Sequence, residues 1–426
     1  MDLRAACLVT MMVGLGLAGC LDGSGPGDAV VDGSGSPFAL TSWDSMLAGP
    51  GGDAESSLAV SADGQTILAC SHGGFTQPSP LWASTDGGDT FRRIEVQPNQ
   101  PFDGDCDVAI TADGTWHIVY DTVASATFAS SSDEGATWFV HPFTAEPLGG
   151  VDRPWILAAG DDVVLIWADV MAALPFVAFF TKTSDHGRTW TPHTPIATFT
   201  PADVFCFIAH PLAIDDGATF QVPIVCNGLQ DDTGTGAVYI MESTDGGLTW
   251  DRIQTGVRSG GSITGSYAGD GGLWLTVSQP DGDGMAHGIV HSTDRGRTFT
   301  DALWIDGNVT PGFGWFWVDG RPDGSATAVW MDAHENGTWQ AAAARLTFDA
   351  APRVEAIGHV GPLAEEAPLY EFFMVKHDGS GRAIMAFPQV TGPECHQPGT
   401  LPSQAGSGNV PRNAQCIYVV REPWGG

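Results

Sequence analysis

Three arginines stand in loop-like stretches of a chain otherwise poor in cations: Arg153, Arg258 and Arg412. A guanidinium forks onto a carboxylate through two parallel hydrogen bonds, so three of them suit an acidic ligand. Each could equally pair with a local acid, and Asp152 is adjacent to Arg153. Tyr370-Glu371 sets a phenol beside a carboxylate, the ingredients of an activated nucleophile. Adjacent residues of a strand point to opposite faces, however, which would keep those two apart. Asp152, Arg153, Arg258, Tyr370, Glu371 and Arg412 form the candidate catalytic set. Asp332, His334 and Glu335 follow an apolar run, as do Asp121 and Asp169. They have the chemistry of an acid/base pair and also that of ordinary solvated loop residues.

Metal and aromatic chemistry are thinner. Asp103-Gly104-Asp105-Cys106-Asp107 and Asp281-Gly282-Asp283-Gly284 are dense in the hard oxygens that Ca²⁺ prefers, yet neither completes a twelve-residue calcium loop. No cofactor is required by any motif, and Ca²⁺ is the one ion with any support. Trp155, Trp315 and Trp317 could stack on sugar rings or belong to a core. Setting aside Cys7 and Cys20 leaves six cysteines: Cys70, Cys106, Cys206, Cys226, Cys395 and Cys416. An even number without a Cys-x-x-Cys pair reads as disulfides, not zinc. Cys206 and Cys226 lie ten residues either side of Asp216 and should meet across a hairpin. Cys70 with Cys106 should join two adjacent units, and Cys395 with Cys416 should staple a long last loop.

What must position these residues is a repeat. Ser/Thr-x-Asp-x-Gly-x-Thr-Trp/Phe occurs at Ser84–Phe91, Ser131–Trp138, Thr183–Trp190, Ser243–Trp250 and Ser292–Phe299. The pattern is that of a hairpin tip. Its Asp (Asp86, Asp133, Asp185, Asp245, Asp294) accepts backbone N–H bonds, its Gly takes a positive φ and its hydroxyls tie the ends. A second series keeps step with it. Turn-like Asp/Gly pairs stand at Asp63, Asp113, Asp161, Asp216, Asp270, Asp323 and Asp378. Apolar runs follow them, such as His117–Tyr120, Val163–Trp167, Leu273–Val277, Ala326–Trp330 and Ala383–Phe387, with the content of buried strands.

One unit is therefore strand, Asp/Gly turn, strand, loop, strand, repeat turn, strand. Seven such units predict an all-β, seven-bladed β-propeller of four-stranded antiparallel blades, with six blades as the alternative. In the sixth unit Phe348-Asp349-Ala350-Ala351 should replace the repeat turn. The seventh runs out of chain after Gln415–Arg421, so an N-terminal strand should close the ring, and Pro37–Trp43 is the segment without a partner. Alternate connections of a meander share a rim, so both turn series lie on one rim. The long loops Ser71–Pro80, Ala168–Pro175, Asn227–Gly236, Gln279–Gly288 and Gln389–Arg412 share the other with the blade crossovers. Loops on a rigid scaffold carry function, which makes that second rim the expected site.

The repeat resembles the Asp-box, or BNR repeat, and over almost the whole chain past Pro37 the sequence resembles the sialidase-like superfamily. The resemblance implies an extracytoplasmic protein acting on or recognising glycans. In catalytic sialidases three arginines hold the substrate carboxylate, a Tyr paired with Glu is the nucleophile and an Asp is the acid/base. The Phe/Tyr-Arg-Ile-Pro motif of that family is absent; the nearest segment is Asp152-Arg153-Pro154-Trp155. The expectation is thus recognition of a glycan or another surface polymer without standard sialidase catalysis. An exo-α-sialidase-type hydrolase and an envelope interaction scaffold are the alternatives.

The first residues read as an export signal, with Arg4 ahead of an apolar Ala5–Leu17 stretch too short to span a bilayer. Leu17-Ala18-Gly19-Cys20 resembles a bacterial lipobox, which implies a signal over 1–19, lipidation at Cys20, a Gly/Ser/Asp-rich tether to residue 36 and one domain over 37–426. Ordinary signal cleavage nearby is the alternative. Net charge is −33, and Lys182 and Lys376 are the only lysines. Such a field repels nucleic acid and anionic lipid surfaces, leaving the anchor as the expected membrane link and a monomer as the expected state.

Overall fold

The computed structural model describes residues 38–40, 43–50, 54–72, 79–96, 104–122, 125–144, 151–169, 177–198, 206–214, 217–226, 235–261, 263–281, 284–311, 316–334, 336–364, 373–390 and 415–423. They form seven antiparallel sheets arranged as a β-propeller. The inner strands, one per blade, are Ala54–Val60, Cys106–Ile110, Val151–Ala159, Cys206–Ile208 continued by Leu212–Ile214, Gly265–Tyr267, Trp317–Gly320 and Met374–His377. Each leads into a second strand buried on both faces, through its Asp/Gly pair wherever that pair is described, which is why those strands are continuous apolar runs rather than alternating ones. Phe348 and Pro352 flank the connection that replaces the repeat turn in blade 6.

The five repeat turns share one hydrogen-bond pattern. The leading Ser or Thr hydroxyl donates to Asp Oδ1 at 2.7–2.8 Å and accepts the Gly N–H at 2.8–2.9 Å. Asp Oδ1 accepts the closing Thr N–H at 2.8–2.9 Å, and the Thr hydroxyl donates to Oδ2 at 2.6–2.7 Å. These bonds hold all five carboxyls at about 2, well below the usual 3.8. In Asp86, Asp133 and Asp245 the Thr hydroxyl is the main cause and its amide the next. For Asp185 the order is reversed, and for Asp294 burial pushes upward and Thr298 overcomes it.

The same turns stitch blade to blade. The carbonyl just before the turn glycine accepts from the preceding blade: Gly87 from Arg421, Glu134 from Arg92, His186 from Ser130 and Arg295 from Gln221. The glycine itself has no room for a side chain. A Cβ on Gly187 would meet Phe128 at 2.4 Å, one on Gly247 would meet Phe180 at 2.0 Å and one on Gly296 would meet Ile240 at 2.3 Å. All three neighbours lie on the third strand of the preceding blade.

An N-terminal strand does close the ring, but its position differs from the expected one. Asp44–Pro50 is the outermost strand of blade 7, antiparallel to Gln415–Arg421 with Asp44 opposite Arg421. Phe38–Ala39 instead runs parallel to the outer strand of blade 6, opposite Ala356–Ile357, and Leu40 N donates to Ile357 O at 3.0 Å. The apolar residues of Pro37–Trp43 explain the shift. Trp43 is 4% exposed and Leu40 packs on the same core, so this stretch anchors by burial while Asp44–Pro50 makes the ladder. Gly358 admits the crossing, since a Cβ there would meet Leu40 O at 2.9 Å.

Two disulfides join Cys70 to Cys106, across blades 1 and 2, and Cys206 to Cys226, across the first hairpin of blade 4. Cys416 is disulfide-bonded as well; Cys395, its expected partner, lies outside the described residues. Disulfides of this kind belong to oxidising, extracytoplasmic compartments. Among the described residues no helix is long and apolar enough to cross a membrane.

Two outcomes follow from this architecture. A chain beginning at Ser56 loses both N-terminal strands and leaves the edge of Gln415–Arg421 bare. Its melting temperature should fall by about 10 °C or more relative to one beginning at Pro37; equal melting would disprove the seal. Burial also holds His117 at about 3 and His287 at about 4 instead of 6.5, with the neighbouring His186 adding to the shift of His117. The unfolded chain then binds more protons below 6.5, so this stability is complete above pH 6.5 and is lost as pH falls toward 4 and 3. The share of the turn aspartates is lost lower down, between 3.8 and 2. Urea midpoints should therefore decline from pH 6.5 to 4, with a shallower slope in His117→Gln.

Candidate functional site

One level of the channel carries most of the inner polar chemistry. Ser57, Asp107, Trp155, His210, Thr264 and Trp317 each stand six residues ahead of a turn aspartate, namely Asp63, Asp113, Asp161, Asp216, Asp270 and Asp323. The inner strand of a blade has a free edge whose N–H groups need acceptors. Residues at this level supply them to the next blade round. Ser57 Oγ faces Val108 N at 3.4 Å, Asp107 Oδ2 accepts Ile156 N at 2.7 Å and Thr264 Oγ1 accepts Val318 N at 3.2 Å. From blade 7, Met374 Sδ lies 3.3 Å from Leu58 N. Trp155 does the converse and donates Nε1–H to Ile208 O at 3.2 Å.

The same level closes the axis. His210 sits where the inner strand of blade 4 is interrupted, between Cys206–Ile208 and Leu212–Ile214, and its ring reaches across to Asp107 with Nε2 3.3 Å from Oδ2. Its Nδ1 lies 3.0 Å from Pro211 O. The rings of Trp155 and His210 are 5.5 Å apart, Trp155 and Trp317 6.1 Å, and His210 and Trp317 6.2 Å. Trp155 is 4% and Trp317 2% exposed. These tryptophans are therefore a buried plug and not open stacking platforms for sugar; Trp315 lies outside the described residues.

Directly toward the loop rim, the inner strand of blade 3 bulges between Asp152 and Trp155. Arg153 takes φ +53° there, a left-handed conformation that costs a non-glycine residue roughly 1–3 kcal/mol. Its guanidinium is held by Asp105 of blade 2, Nε to Oδ2 3.2 Å, and lies 5.7 Å from the Trp155 ring centroid. Asp105 is thus a partner of this arginine from another blade; the side chain of the adjacent Asp152, the local acid expected to pair with it, lies outside the described residues. The mouth of the channel accordingly has a sealed aromatic floor with a strained, clamped arginine above it.

The rest of the expected set does not gather there. Arg258 is on the outermost strand of blade 4, where it binds Thr235 through Nε to Oγ1 at 3.0 Å and through Nη2 to the carbonyl. Arg153 and Arg258 thus belong to opposite edges of their blades, one inner and one outer. Tyr370, Glu371 and Arg412 lie outside the described residues, as do Glu335 and the side chain of Asp169. Asp332 accepts from His359 Nε2 at 2.8 Å and from Trp330 Nε1 at 3.3 Å, with the His334 ring 4.8 Å from that of His359. Asp121 is buried, and its backbone pairs with Gly104 and Asp105. Among the described residues no group of three or more His, Cys, Asp or Glu is placed to hold a metal ion. Asp103 and Asp283 are outside that set.

The geometry limits the chemistry of the floor. Asp107 accepts from Ser57 Oγ and Val108 N on one oxygen and from Ile156 N on the other, which also lies 3.3 Å from His210 Nε2. A carboxylate so occupied has little capacity left to move a proton. Ser57 donates to the carboxylate and not to the imidazole, so the three side chains lack the order of a nucleophile, its base and an orienting acid. Sequence reasoning singled out Asp107 only as a cation ligand and passed over Ser57 and His210. The constant six-residue offset from the turn aspartates was the signal that could have found all three.

No family model matches the chain. Over 201 residues it is 26% identical to the xyloglucanase Xgh74A of Acetivibrio thermocellus, a stretch of 41% of this chain and 22% of that enzyme. The chain thus covers about a fifth of the length of the curated relative it matches. Among solved structures it is similar to the α-L-arabinofuranosidase Arb93A of Fusarium graminearum, with 16% identity, TM-score 0.48, and 68% of this chain and 92% of that one covered. It is similar to the α-L-arabinanase of Penicillium chrysogenum, with 14% identity, TM-score 0.48, and 74% and 99% covered. The intramolecular trans-sialidase from Ruminococcus gnavus gives 12% identity, TM-score 0.46, and 89% and 96% covered. Likeness at this level carries nothing about activity.

If the floor is a packed plug, Trp317→Ala should leave a hole beside His210 and Trp155. It should destabilise the protein by about 3–5 kcal/mol, the usual cost of removing a buried aromatic. Calorimetry showing an unchanged melting temperature would mean that the tryptophan is dispensable packing.

Proposed function

We propose that this chain is a lipid-anchored extracytoplasmic propeller that recognises a glycan or related surface polymer at the loop-rim mouth of its channel, without sialidase-type hydrolysis. The observation that carries the reading is Arg153: a positive-φ residue at a bulge, clamped by Asp105 above a sealed floor. Strain of this kind persists where the surroundings impose it, and it clusters at ligand sites. A paired guanidinium offers directed N–H donors to hydroxyls, while its carboxylate partner accepts from them. Polyhydroxylated ligands meet both needs. The partial likeness to a xyloglucanase supports a neutral polysaccharide as the first ligand to try. The net charge of −33 disfavours the approach of an anionic one. Anchoring through Cys20 accounts for the lipobox-like segment and for the disulfides further along.

Affinity electrophoresis of the purified protein against xyloglucan, other neutral polysaccharides and a cationic polymer tests the binding. Retardation by a neutral or cationic polymer should weaken about tenfold or more in Arg153→Ala, the loss expected for a hydrogen bond from a charged group. A fluorogenic sialoside should not be turned over. Hydrolysis of that sialoside which vanished in Arg153→Ala would put an exo-glycosidase in place of this reading.

A further inference from the structure

We infer that Asp107 is a positioning residue for the channel mouth: beside its part in tying neighbouring blades together, its Oδ2 sets the bulge that carries Arg153. The inference rests on the reading of the mouth as the binding site. Its basis is a comparison among the residues that meet these edge amides. Thr264 at the same level and Met374, four residues ahead of Asp378, cap the next blade with neutral groups, and Ser57 adds a long contact to Val108 N, which Asp107 Oδ1 accepts at 2.9 Å. Asp107 does the same for Ile156 but, among the described residues at this level, it alone is a carboxyl. Burying a carboxyl costs far more than burying a hydroxyl or thioether, and Asp107 is fully buried. Capping alone therefore does not account for its presence.

What the carboxyl adds is local to blade 3 and to the axis. Ile156 follows Trp155, where the ladder resumes after the bulge. Fixing its N–H at 2.7 Å fixes the exit of the bulge. The other contact of the same oxygen, His210 Nε2 at 3.3 Å, holds the ring that packs on Trp155. Two residues earlier, just ahead of the strand, Asp105 holds the Arg153 guanidinium itself. Cys106, between them, is locked to Cys70. Asp105-Cys106-Asp107 is thus a short rigid clamp that grips blade 3 twice, by its backbone at Ile156 and by its side chain at Arg153.

The test uses the full chain as Asp107→Asn, which keeps the shape and one acceptor oxygen, and as Asp107→Ser, which installs the neutral capper of the neighbouring blade. Two readouts are taken: the rate at which phenylglyoxal modifies Arg153, followed by mass spectrometry of the peptide that contains it, and retardation by xyloglucan. With the melting transition still cooperative, both variants should expose Arg153 to modification about tenfold faster, as expected when a local tie is lost. Retardation should weaken as it does in Arg153→Ala. Should either variant fail to fold, His210→Gln, which removes the partner and leaves the cap, takes its place with the same expected result. Modification at the wild-type rate in a folded variant overturns the inference and leaves Asp107 as one more cap. If instead Arg153→Ala leaves retardation unchanged, the reading of the mouth fails, while the modification rate still decides the role of Asp107.

Discussion

A propeller gathers seven strand edges around one axis, and none of them has a strand to pair with on its inner side. The rest of this structure depends on how those edges are satisfied. Among the described residues four of them are met from the side by the neighbouring blade: Val108 by a serine hydroxyl, Ile156 by a carboxylate, Val318 by a threonine hydroxyl and Leu58 by a methionine sulfur. These acceptors sit in the neighbouring blade, so packing of blade on blade completes the edges, and Val108 N also finds Asp107 Oδ1 of its own blade at 2.9 Å. The demand for acceptors thereby becomes a force for closure and sets the residues that fill the axis.

The repeat turns answer the same need at the rim. Their internal bonds are local, and an isolated turn of this kind is worth only about 1 kcal/mol per hydrogen bond. Their larger effect is outward. By holding the residue before the glycine at positive φ they aim its carbonyl at the preceding blade, and the bare glycine lets Phe128, Phe180 or Ile240 of that blade come close. Asp, Gly and Thr recur together because the three act on one seam.

Much of this was legible in the chain. The period near fifty residues, the two turn series in constant phase and the doubly buried second strands are local patterns, and local patterns give strand order directly. The closing strand was misplaced because sequence shows that Leu40 and Trp43 are apolar but not whether their stretch forms the closing ladder or an anchor across blade 6. Asp105 as a partner of Arg153 could not be read either, since it is nearly fifty residues away and on another blade. His210 was invisible for a different reason. It works from a break in an inner strand, and nothing in Ala209-His210-Pro211 announces that the break turns the ring toward Asp107 rather than outward.

The pairing of Asp44 with Arg421 has a temporal side. During synthesis the residues that seal blade 7 emerge before all seven inner strands, and the strand they must meet emerges after them. For that whole interval both surfaces are bare, and the loop to be closed spans nearly the entire chain, which slows the search for the native contact. Six blades can stack from their own neighbours, but the ring gains its final shape in one late event. Whatever holds the early segment near blade 6 in the meantime shortens that search, and the pairing of Phe38–Ala39 and of the Leu40 amide with Ala356–Ile357 is suited to do so.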